Sequence, residues 1–389
     1  MDLNSVLSAA VDFGASDVHL KVGQPPIVRY DGDLRALEGF APLDPDQLEA
    51  VAEVIGARSP ARLASFFETG ELDTAYQPPD LPRMRVNAFR QRGEISFAFR
   101  IIPKEVPSFD SLGLPQGVRD LAEEHRGLIL VTGATGTGKT TTLAAMVGHI
   151  NATRRQHIIS IEDPIEILHN DRMCIVNQRE VGLDTESFNQ ALRRALRQDP
   201  DVILIGELRD SETAETALQA AESGHLVLST MHTVDASETV GRLIEFFPAI
   251  KHAQIRSILA GVLKGVVSQR LLPRVSAGRI AALEVMIANN RIADLIRENK
   301  PEEIPEAIAD GEFFHMQTLT AALIDLVIRG EVERETAANA SPNRHDFEIA
   351  LRYALKEKDA ADRAPDPDDV DAEEPRLRLA HEPERLGRS

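Results

Sequence analysis

The feature that most constrains this chain is a glycine-rich octapeptide, Gly133-Ala134-Thr135-Gly136-Thr137-Gly138-Lys139-Thr140. It follows the apolar run GLILVT and precedes a segment with helical spacing, so it lies at a strand-to-helix turn. This is the Walker A pattern in the context that the pattern requires. In such a loop the glycines allow backbone N–H groups to surround phosphate oxygens, and the helix N-terminus adds positive potential. The sequence therefore predicts an α/β fold with a nucleotide-binding loop.

Each residue type in this loop predicts a role in binding ATP and Mg²⁺. Lys139 is expected to reach the β- and γ-phosphates, and the hydroxyl of Thr140 is expected to ligate Mg²⁺. We include Thr141, the next residue of the helix, among the nucleotide-binding residues. ATP and Mg²⁺ are therefore the predicted cofactors.

A second motif is an apolar strand that ends in a carboxylate, Asp201-Val-Ile-Leu-Ile-Gly-Glu207. HIISIE and HLVLSTMHT are further short apolar runs, and helical segments alternate with them. This alternation predicts a parallel sheet with both faces covered. Because the carboxyl ends of parallel strands share one edge, Glu207 is expected near the octapeptide, in the Walker B position that holds Mg²⁺.

A third motif is an acidic cluster at the end of another strand, where Glu162, Asp163 and Glu166 lie within five residues. Carboxylates so close together repel one another unless a cation or water uses them. We expect Glu162 and Asp163 to contribute to the metal site, and one carboxylate of the cluster to polarise the attacking water.

Two further groups of side chains could contact phosphate. His225 and His232 flank the strand HLVLSTM, and His232 follows it at the predicted catalytic edge, where a hydrogen bond to the γ-phosphate would report the nucleotide state. Arginine suits planar recognition of phosphate. Five arginines lie on a predicted hairpin before the nucleotide-binding part: Arg83, Arg85, Arg90, Arg92 and Arg100.

Patterning along the chain predicts two domains and a tail. Residues 1–105 alternate strands and helices as an α+β domain, with a hairpin over residues 83–102 that turns at Arg92-Gly93. Residues 106–117 are rich in proline and glycine and are predicted to be a linker. Residues 118–345 form the ATPase domain with helices at its end. Residues 346–389 are predicted to be an acidic, disordered tail.

Composition excludes several classes of protein. The formal net charge of −19 and the absence of tryptophan do not predict a nucleic-acid-binding surface. The one cysteine, Cys174, cannot form an internal disulfide or a multi-cysteine zinc site, and it is interpreted as a core residue. The N-terminus has no signal-peptide pattern and no apolar run is long enough to cross a bilayer. A cytoplasmic protein, without direct membrane insertion, is therefore expected.

Taken together, these motifs resemble a known family. GATGTGKTTTLAAM, SIEDPIE, VNQREVGLDTESF, ALRQDPDVILIGELRD and AESGHLVLSTMHT are similar to the secretion-ATPase superfamily, and within it to the PilT and PilU group of pilus retraction motors. ASDVHLKVGQPPIVRYDGDL near the N-terminus and MQTLTAALIDLVIRGEV near the C-terminus match the same group. The resemblance covers residues 1–340.

The resemblance implies a fold, an activity and site residues. It implies a PAS-like N-terminal domain joined to a RecA-like ATPase domain, in a homohexameric ring that powers type IV pilus retraction and twitching motility. By motif position, Glu166 matches the general base, Glu207 the Walker B glutamate and His232 the second histidine of the His box. Arg85 and Arg100 are the hairpin arginines predicted to contact nucleotide. The implied partners are a pilus platform protein of the inner membrane and a PilT-like paralogue, at the cytoplasmic face of that membrane.

One stretch departs from the PilT pattern. PilT-type motors carry a motif reading AIRNLIRE, and the matching stretch here is RIADLIRE, with Ala293 and Asp294 in place of arginine and asparagine. Similar proteins of the PilU type read more like this chain. The VGLDTESF stretch and the acidic tail favour the same subtype, so a PilU-like motor is predicted.

Two alternatives stay open. A pilus extension or type II secretion ATPase would carry a four-cysteine metal module and an additional N-terminal region, which this sequence lacks. A nucleotide-binding regulatory subunit, which would assist another motor without turnover, is disfavoured by the presence of Lys139, Glu166 and Glu207.

Overall fold

The computed structural model describes residues 2–30, 32–57, 60–102 and 106–363. The chain divides into two compact units, Met1–Pro342 and Asn343–Ser389. The first unit contains two sheets, and the predicted site residues all belong to it.

The N-terminal part has a six-stranded antiparallel sheet in the order β3-β2-β1-β6-β5-β4. Its strands are β1 Asp17–Lys21, β2 Ile27–Tyr30, β3 Asp33–Ala36, β4 Glu71–Tyr76, β5 Met84–Gln91 and β6 Glu94–Ile101. Its helices are α1 Leu3–Asp12, α2 Pro45–Gly56 and α3 Pro60–Thr69. The predicted hairpin is confirmed as β5 and β6, and both turn residues have positive φ, 53° at Arg92 and 83° at Gly93.

Two short helices follow, α4 Phe109–Leu112 and α5 Gln116–Ala122. They occupy much of the predicted linker, because apolar residues recur there at helical spacing between the prolines and glycines. Phe109, Val118 and Leu121 are buried in a cluster with the strands of the second sheet. Residues 103–105, which belong to the proline-containing stretch before the predicted linker, lie outside the described residues.

The second sheet has seven strands in the order β13-β12-β7-β11-β10-β8-β9. They are β7 Gly127–Thr132, β8 His157–Glu162, β9 Ile175–Glu180, β10 Val202–Ile205, β11 Leu226–Met231, β12 Leu263–Pro273 and β13 Arg279–Ile287. All neighbours pair in parallel except β12 and β13. Every residue of β7, β10 and β11 is buried, as expected for parallel strands covered on both faces. The predicted parallel α/β class is confirmed.

Helices cover both faces of this sheet, and a buried apolar cluster lies on each side. They are α6 Lys139–Thr153, α7 Phe188–Ala195, α8 Ser211–Glu222, α9 Ala236–Glu245, α10 His252–Val262, α11 Asn290–Glu298, α12 Ile304–Ala309, α13 Leu319–Ile328 and α14 Arg334–Ala340. Short 3₁₀ turns lie at Ala249–Lys251, Pro301–Glu303 and Glu312–Phe314. The sheet thus holds the carboxyl ends of its parallel strands at one edge.

The second unit contains a helix where the sequence analysis predicts a tail that is disordered from residue 346. A helix, α15 Arg344–Arg363, occupies the first part of that segment. The stretch ALKEKDAA consists mostly of strong helix formers, and the first proline after the start of the helix is Pro365. The acidic stretch DPDDVDAEEP lies outside the described residues.

None of the helices in the described ranges is both long enough and apolar enough to span a bilayer.

Candidate functional site

The octapeptide is the turn between β7 and α6, as the sequence predicts. Lys139 is the first residue of the helix, and Gly138 caps it with a φ of 90°. Gly133 has a φ of 140°, and a Cβ added there would lie 2.5 Å from the carbonyl oxygen of Gln269. Both positions therefore require glycine because of their positive φ. At Gly133 the close approach of the β12 backbone is a second reason.

A cavity of about 1060 Å³ lies beside this loop. Its wall includes most of the residues predicted for the site: Thr135, Gly136, Thr137, Gly138, Lys139, Thr140, Thr141, Glu162, Asp163, Glu166, Glu207, His232, Arg85 and Arg100. Gly133 and Ala134 form the base of the loop, and their carbonyl oxygens accept hydrogen bonds from Lys139 Nζ at 2.7 and 3.0 Å. The fold thus gathers residues from both sheets around one space, and its volume lies at the upper end of the range for small-molecule sites.

Lys139 and Glu166 influence each other electrostatically across the cavity. Partial burial lowers the pKa of Lys139, and the negative charge of Glu166 acts in the opposite direction. Glu166 itself is exposed to the cavity. A carboxylate exposed to the cavity is accessible to water, which is what a general base requires.

Glu162 has a different environment from Glu166. It ends β8 and is buried, and its Oε1 accepts hydrogen bonds from Ser160 Oγ at 2.6 Å and Gln178 Nε2 at 3.0 Å. Burial raises the pKa of Glu162, and the two hydrogen bonds oppose that rise. Glu162 lies on the cavity wall, and Asp163 beside it on the same wall is exposed. Their predicted role as metal ligands stays a prediction.

Glu207 follows β10, and both of its carboxylate oxygens have partners. Oε2 accepts a hydrogen bond from His232 Nε2 at 2.9 Å, and Oε1 contacts Arg209 Nε. Burial lowers the pKa of His232, and the charges of Lys139 and Arg209 lower it further. Because a carboxylate oxygen accepts, Nε2 is the donor of the bond to Glu207. His225 lies at the other end of β11, away from this edge.

The hairpin arginines separate into different environments. Arg85 and Arg100 lie directly opposite each other on β5 and β6, and both line the cavity. Like charges opposite each other destabilise a sheet unless an anion compensates them. Asp17 supplies a negative charge for Arg100, since its Oδ1 lies 3.1 Å from Arg100 Nε. Arg83 instead contacts Glu180, and Arg90 donates to the carbonyl oxygen of Gly93 at 3.0 Å.

Sequence reasoning missed Gln269 and Arg209. Gln269 on β12 is 3% exposed, accepts a hydrogen bond from Thr142 Oγ1 at 2.8 Å and donates to the carbonyl oxygen of Thr137. It therefore holds the phosphate-binding loop and its helix against the neighbouring strand. The polar run Ser268-Gln269-Arg270 between the apolar pairs Val266-Val267 and Leu271-Leu272 of β12 is the sequence signal that could have indicated it.

In the described part of the chain, no three His, Cys, Asp or Glu side chains converge as a metal site. Magnesium at nucleotide sites is commonly bound through one or two protein oxygens together with substrate phosphates and water. The hydroxyl of Thr140 lies on the cavity wall next to Lys139, where such an ion could use it. The glycine-lined turn, the lysine and this hydroxyl fit a magnesium nucleotide.

The fold and the site together define a P-loop ATPase with a RecA-like catalytic domain and a separate N-terminal domain. The chain belongs to the family described as "Type II/IV secretion system protein", whose model matches residues 83–338.

Two curated relatives and one solved structure specify the resemblance. The chain is 44% identical over 348 residues to the type IV pilus retraction ATPase PilT of Pseudomonas aeruginosa, covering 89% of this chain and 100% of that protein. It is 39% identical over 361 residues to the type IV pilus ATPase PilU of the same organism, covering 92% and 94%. A crystal structure of the pilus retraction motor PilT with bound ADP has a TM-score of 0.83 at 44% identity, covering 90% of this chain and 99% of that one.

The predicted resemblance to the PilT and PilU group is confirmed by these figures. The choice between the two subtypes stays a prediction, and the identity to this PilT is higher than that to this PilU. In the structure Ala293 is buried on α11, whereas Asp294 pairs with Arg297 at 2.7 Å. The departure from the PilT motif thus changes both a buried and a surface position.

Proposed function

We propose that this chain is an ATP-hydrolysing, homohexameric motor that powers type IV pilus retraction and twitching motility. One observation supports the proposal most: Lys139, Glu166 and Glu207 line one cavity at the carboxyl edge of a parallel sheet. That arrangement occurs in a chain that matches a pilus retraction ATPase over the whole length of that relative.

In this proposal the phosphate-binding loop holds ATP by its backbone N–H groups and by Lys139. When bound, Mg·ATP supplies the phosphoryl group to be transferred and the metal charge that neutralises it. Thr140 would ligate the metal directly, and Glu207 would hold it through water, since both oxygens of Glu207 already have side-chain partners. Glu162 and Asp163 would add further negative charge around the bound metal.

Glu166 is proposed as the general base. It is exposed to the cavity, so a water molecule can approach it. Lys139 lies close enough for the charge of Glu166 to act on its pKa, which places the proposed base near the lysine of the phosphate-binding loop. His232 would hold Glu207 in place, and exchange of this hydrogen bond for one to the γ-phosphate would report the nucleotide state.

The N-terminal domain, residues 1–105, is proposed to move on residues 106–117 relative to the ATPase domain, residues 118–345. Arg85 and Arg100 would approach the phosphates in the closed form, because they lie opposite each other on the same cavity wall. The motion would act on a platform protein of the inner membrane. The motor would work at the cytoplasmic face of that membrane, beside a PilT-like paralogue.

Two measurements test this function. Purified chain should release phosphate from ATP only with Mg²⁺ present and should have the mass of six subunits in light scattering with ATP. A chain that binds ATP without turnover would instead be the regulatory subunit, and a monomer with ATP at micromolar concentration would contradict the ring.

A cellular experiment separates retraction from extension. Cells that lack the gene should extend pili but retract them less often, and the defect should deepen when a PilT-like paralogue is also absent. Cells without pili would indicate an extension motor instead.

A further inference from the structure

Arg83 and Glu180 form an ion pair between the two sheets. Arg83 immediately precedes β5 in the N-terminal domain, and Glu180 is the last residue of β9. Arg83 Nη2 lies 2.6 Å from Glu180 Oε2, and the two side chains are 15% and 3% exposed. Because both charges are removed from water, each depends on the other for compensation. The contact is therefore sensitive to any movement of the N-terminal domain.

The same oxygen of Glu180 also contacts the acidic loop. Glu180 Oε2 accepts a hydrogen bond from the backbone N–H of Ile165 at 3.3 Å. Ile165 is buried and immediately precedes Glu166 in the chain. The carboxylate that meets the N-terminal arginine thus also holds the backbone next to the proposed base.

Glu180 is fixed to the sheet on its other side. It pairs in register with Glu162 on β8, and its own N–H donates to Asp184 Oδ2 at 2.8 Å. Arg83 is fixed as well, since its carbonyl oxygen accepts a hydrogen bond from Ile102 N at 2.9 Å. Each partner of the ion pair therefore moves with the sheet to which it belongs.

Arg83 differs in this respect from the other arginines of the hairpin. Arg85 and Arg100 line the nucleotide cavity, whereas Arg83 is absent from its wall and directs its guanidinium to Glu180. The position of Arg83 therefore fits a contact with the acidic loop through Glu180 better than a direct contact with phosphate.

We propose that Arg83 is a positioning residue for Glu166. Acting through Glu180 and the N–H of Ile165, it links the position of the N-terminal domain to the position of the base. When the domain lies against the sheet, the ion pair fixes the loop. When the domain moves away, Glu180 loses its cation and the loop loses a fixed acceptor, so hydrolysis proceeds only in the closed form. The inference rests on the proposed function, in which Glu166 is the base.

The first test compares Arg83→Met alone and in a Glu166→Gln background. The substitution alone should lower kcat at least ~10-fold while KM for ATP changes less than ~3-fold, because positioning acts on the chemical step. In the Glu166→Gln background it should lower the residual single-turnover rate no further, since the group that it positions has been removed. Arg90→Met is the matched control, because Arg90 is an exposed arginine on β5, the strand that Arg83 precedes, and its loss should leave both constants unchanged.

The outcomes separate this inference from the proposed function. Normal turnover in Glu166→Gln would overturn the assignment of the base. Loss of turnover in Glu166→Gln combined with a normal kcat in Arg83→Met would overturn the positioning role alone. Equal losses from Arg83→Met in both backgrounds would also overturn it, since they would indicate a general structural defect.

A charge exchange gives a second test. The double variant Arg83→Glu with Glu180→Arg restores an ion pair between the sheets but places a donor next to the N–H of Ile165. We expect it to recover thermal stability relative to either single change without recovering kcat. Recovery of both would show that the bond to Ile165 is not needed. If Arg83→Met does not fold, Arg83→Lys replaces it. The ammonium group of lysine cannot reproduce the geometry of the guanidinium group. A wild-type kcat in Arg83→Lys would therefore count against the proposal.

Discussion

His232 donates a hydrogen bond from Nε2 to Oε2 of Glu207 at 2.9 Å, and this bond joins the ends of two neighbouring parallel strands, β11 and β10. Arg209 contacts the other oxygen of the same carboxylate. The position of Glu207 in the cavity is thus set by residues that follow two different strands.

The first prediction concerns this bond. His232→Ala should lower kcat by roughly 10- to 100-fold, because a hydrogen bond to a charged group contributes about 1.5–3 kcal/mol. Phosphate release at saturating ATP measures the change. His225→Ala, at the other end of β11, is the control and should keep wild-type turnover.

Lys139→Ala should abolish Mg²⁺-dependent ATP hydrolysis. The variant loses the ammonium group that stabilises developing charge on the phosphoryl oxygens. Lys264→Ala is a suitable control, since Lys264 pairs with Glu124 outside the cavity. Turnover near the wild-type rate in Lys139→Ala would contradict the assignment of the phosphate-binding loop.

Glu166→Gln should bind ATP and hydrolyse it at least ~100-fold more slowly, within the range for loss of a general base. The amide keeps the shape of the side chain but cannot accept the proton of water. Binding is measured with a fluorescent ATP analogue and turnover by phosphate release. Unchanged turnover would assign the base to Glu162, Asp163 or Glu207 instead.

Gln269→Leu should weaken ATP binding by about 10-fold, because it leaves the buried hydroxyl of Thr142 without its acceptor and releases the loop carbonyl of Thr137. Titration with a fluorescent ATP analogue measures the change. Gln317→Leu is the matched control, since Gln317 donates to the carbonyl oxygen of Leu283 away from the cavity. Equal affinities for the two variants would contradict the role of Gln269.

Glu284 should make stability depend on pH. Burial raises its pKa from 4.5 to about 7; Asp235 adds to the rise, and the N–H of Ala236 and Arg270 oppose it. Between these two values the folded protein keeps a proton that the unfolded chain has released, so stability falls as pH rises through this window. The raised pKa of Glu284 lowers the free energy of unfolding by about 3 kcal/mol at most across this window.

The test for Glu284 is a comparison of unfolding free energies for the wild type and Glu284→Gln at pH 5 and pH 8. The glutamine can keep the hydrogen bond to Ala236 but does not titrate. We expect Glu284→Gln to be stabilised relative to the wild type at pH 8 more than at pH 5. A difference that does not change with pH would show that Glu284 does not hold the proton.

Local sequence was sufficient to predict which motifs meet at one edge of the sheet. The octapeptide, the strand that ends before Glu207 and the acidic cluster around Glu166 are each contiguous, and the geometry of parallel strands brings their ends to one edge. The hairpin of β5 and β6 was equally predictable, since its turn residues can adopt positive φ. The tail was predicted wrongly over α15, because overall acidic composition was given more weight than local helix propensity.

Only the tertiary structure decided which residues act together across long separations. Gln269 reaches Thr137 across 132 positions and Arg83 reaches Glu180 across 97, and neither contact has a local pattern that specifies the partner. The sequence by itself determined the phosphate-binding loop, the α/β class and the carboxylates at the strand ends, because backbone conformation and strand periodicity are local properties. The packing of β12 against the loop, and of the N-terminal domain against the acidic cluster, depends on how buried surfaces fit together, which is a property of the whole fold.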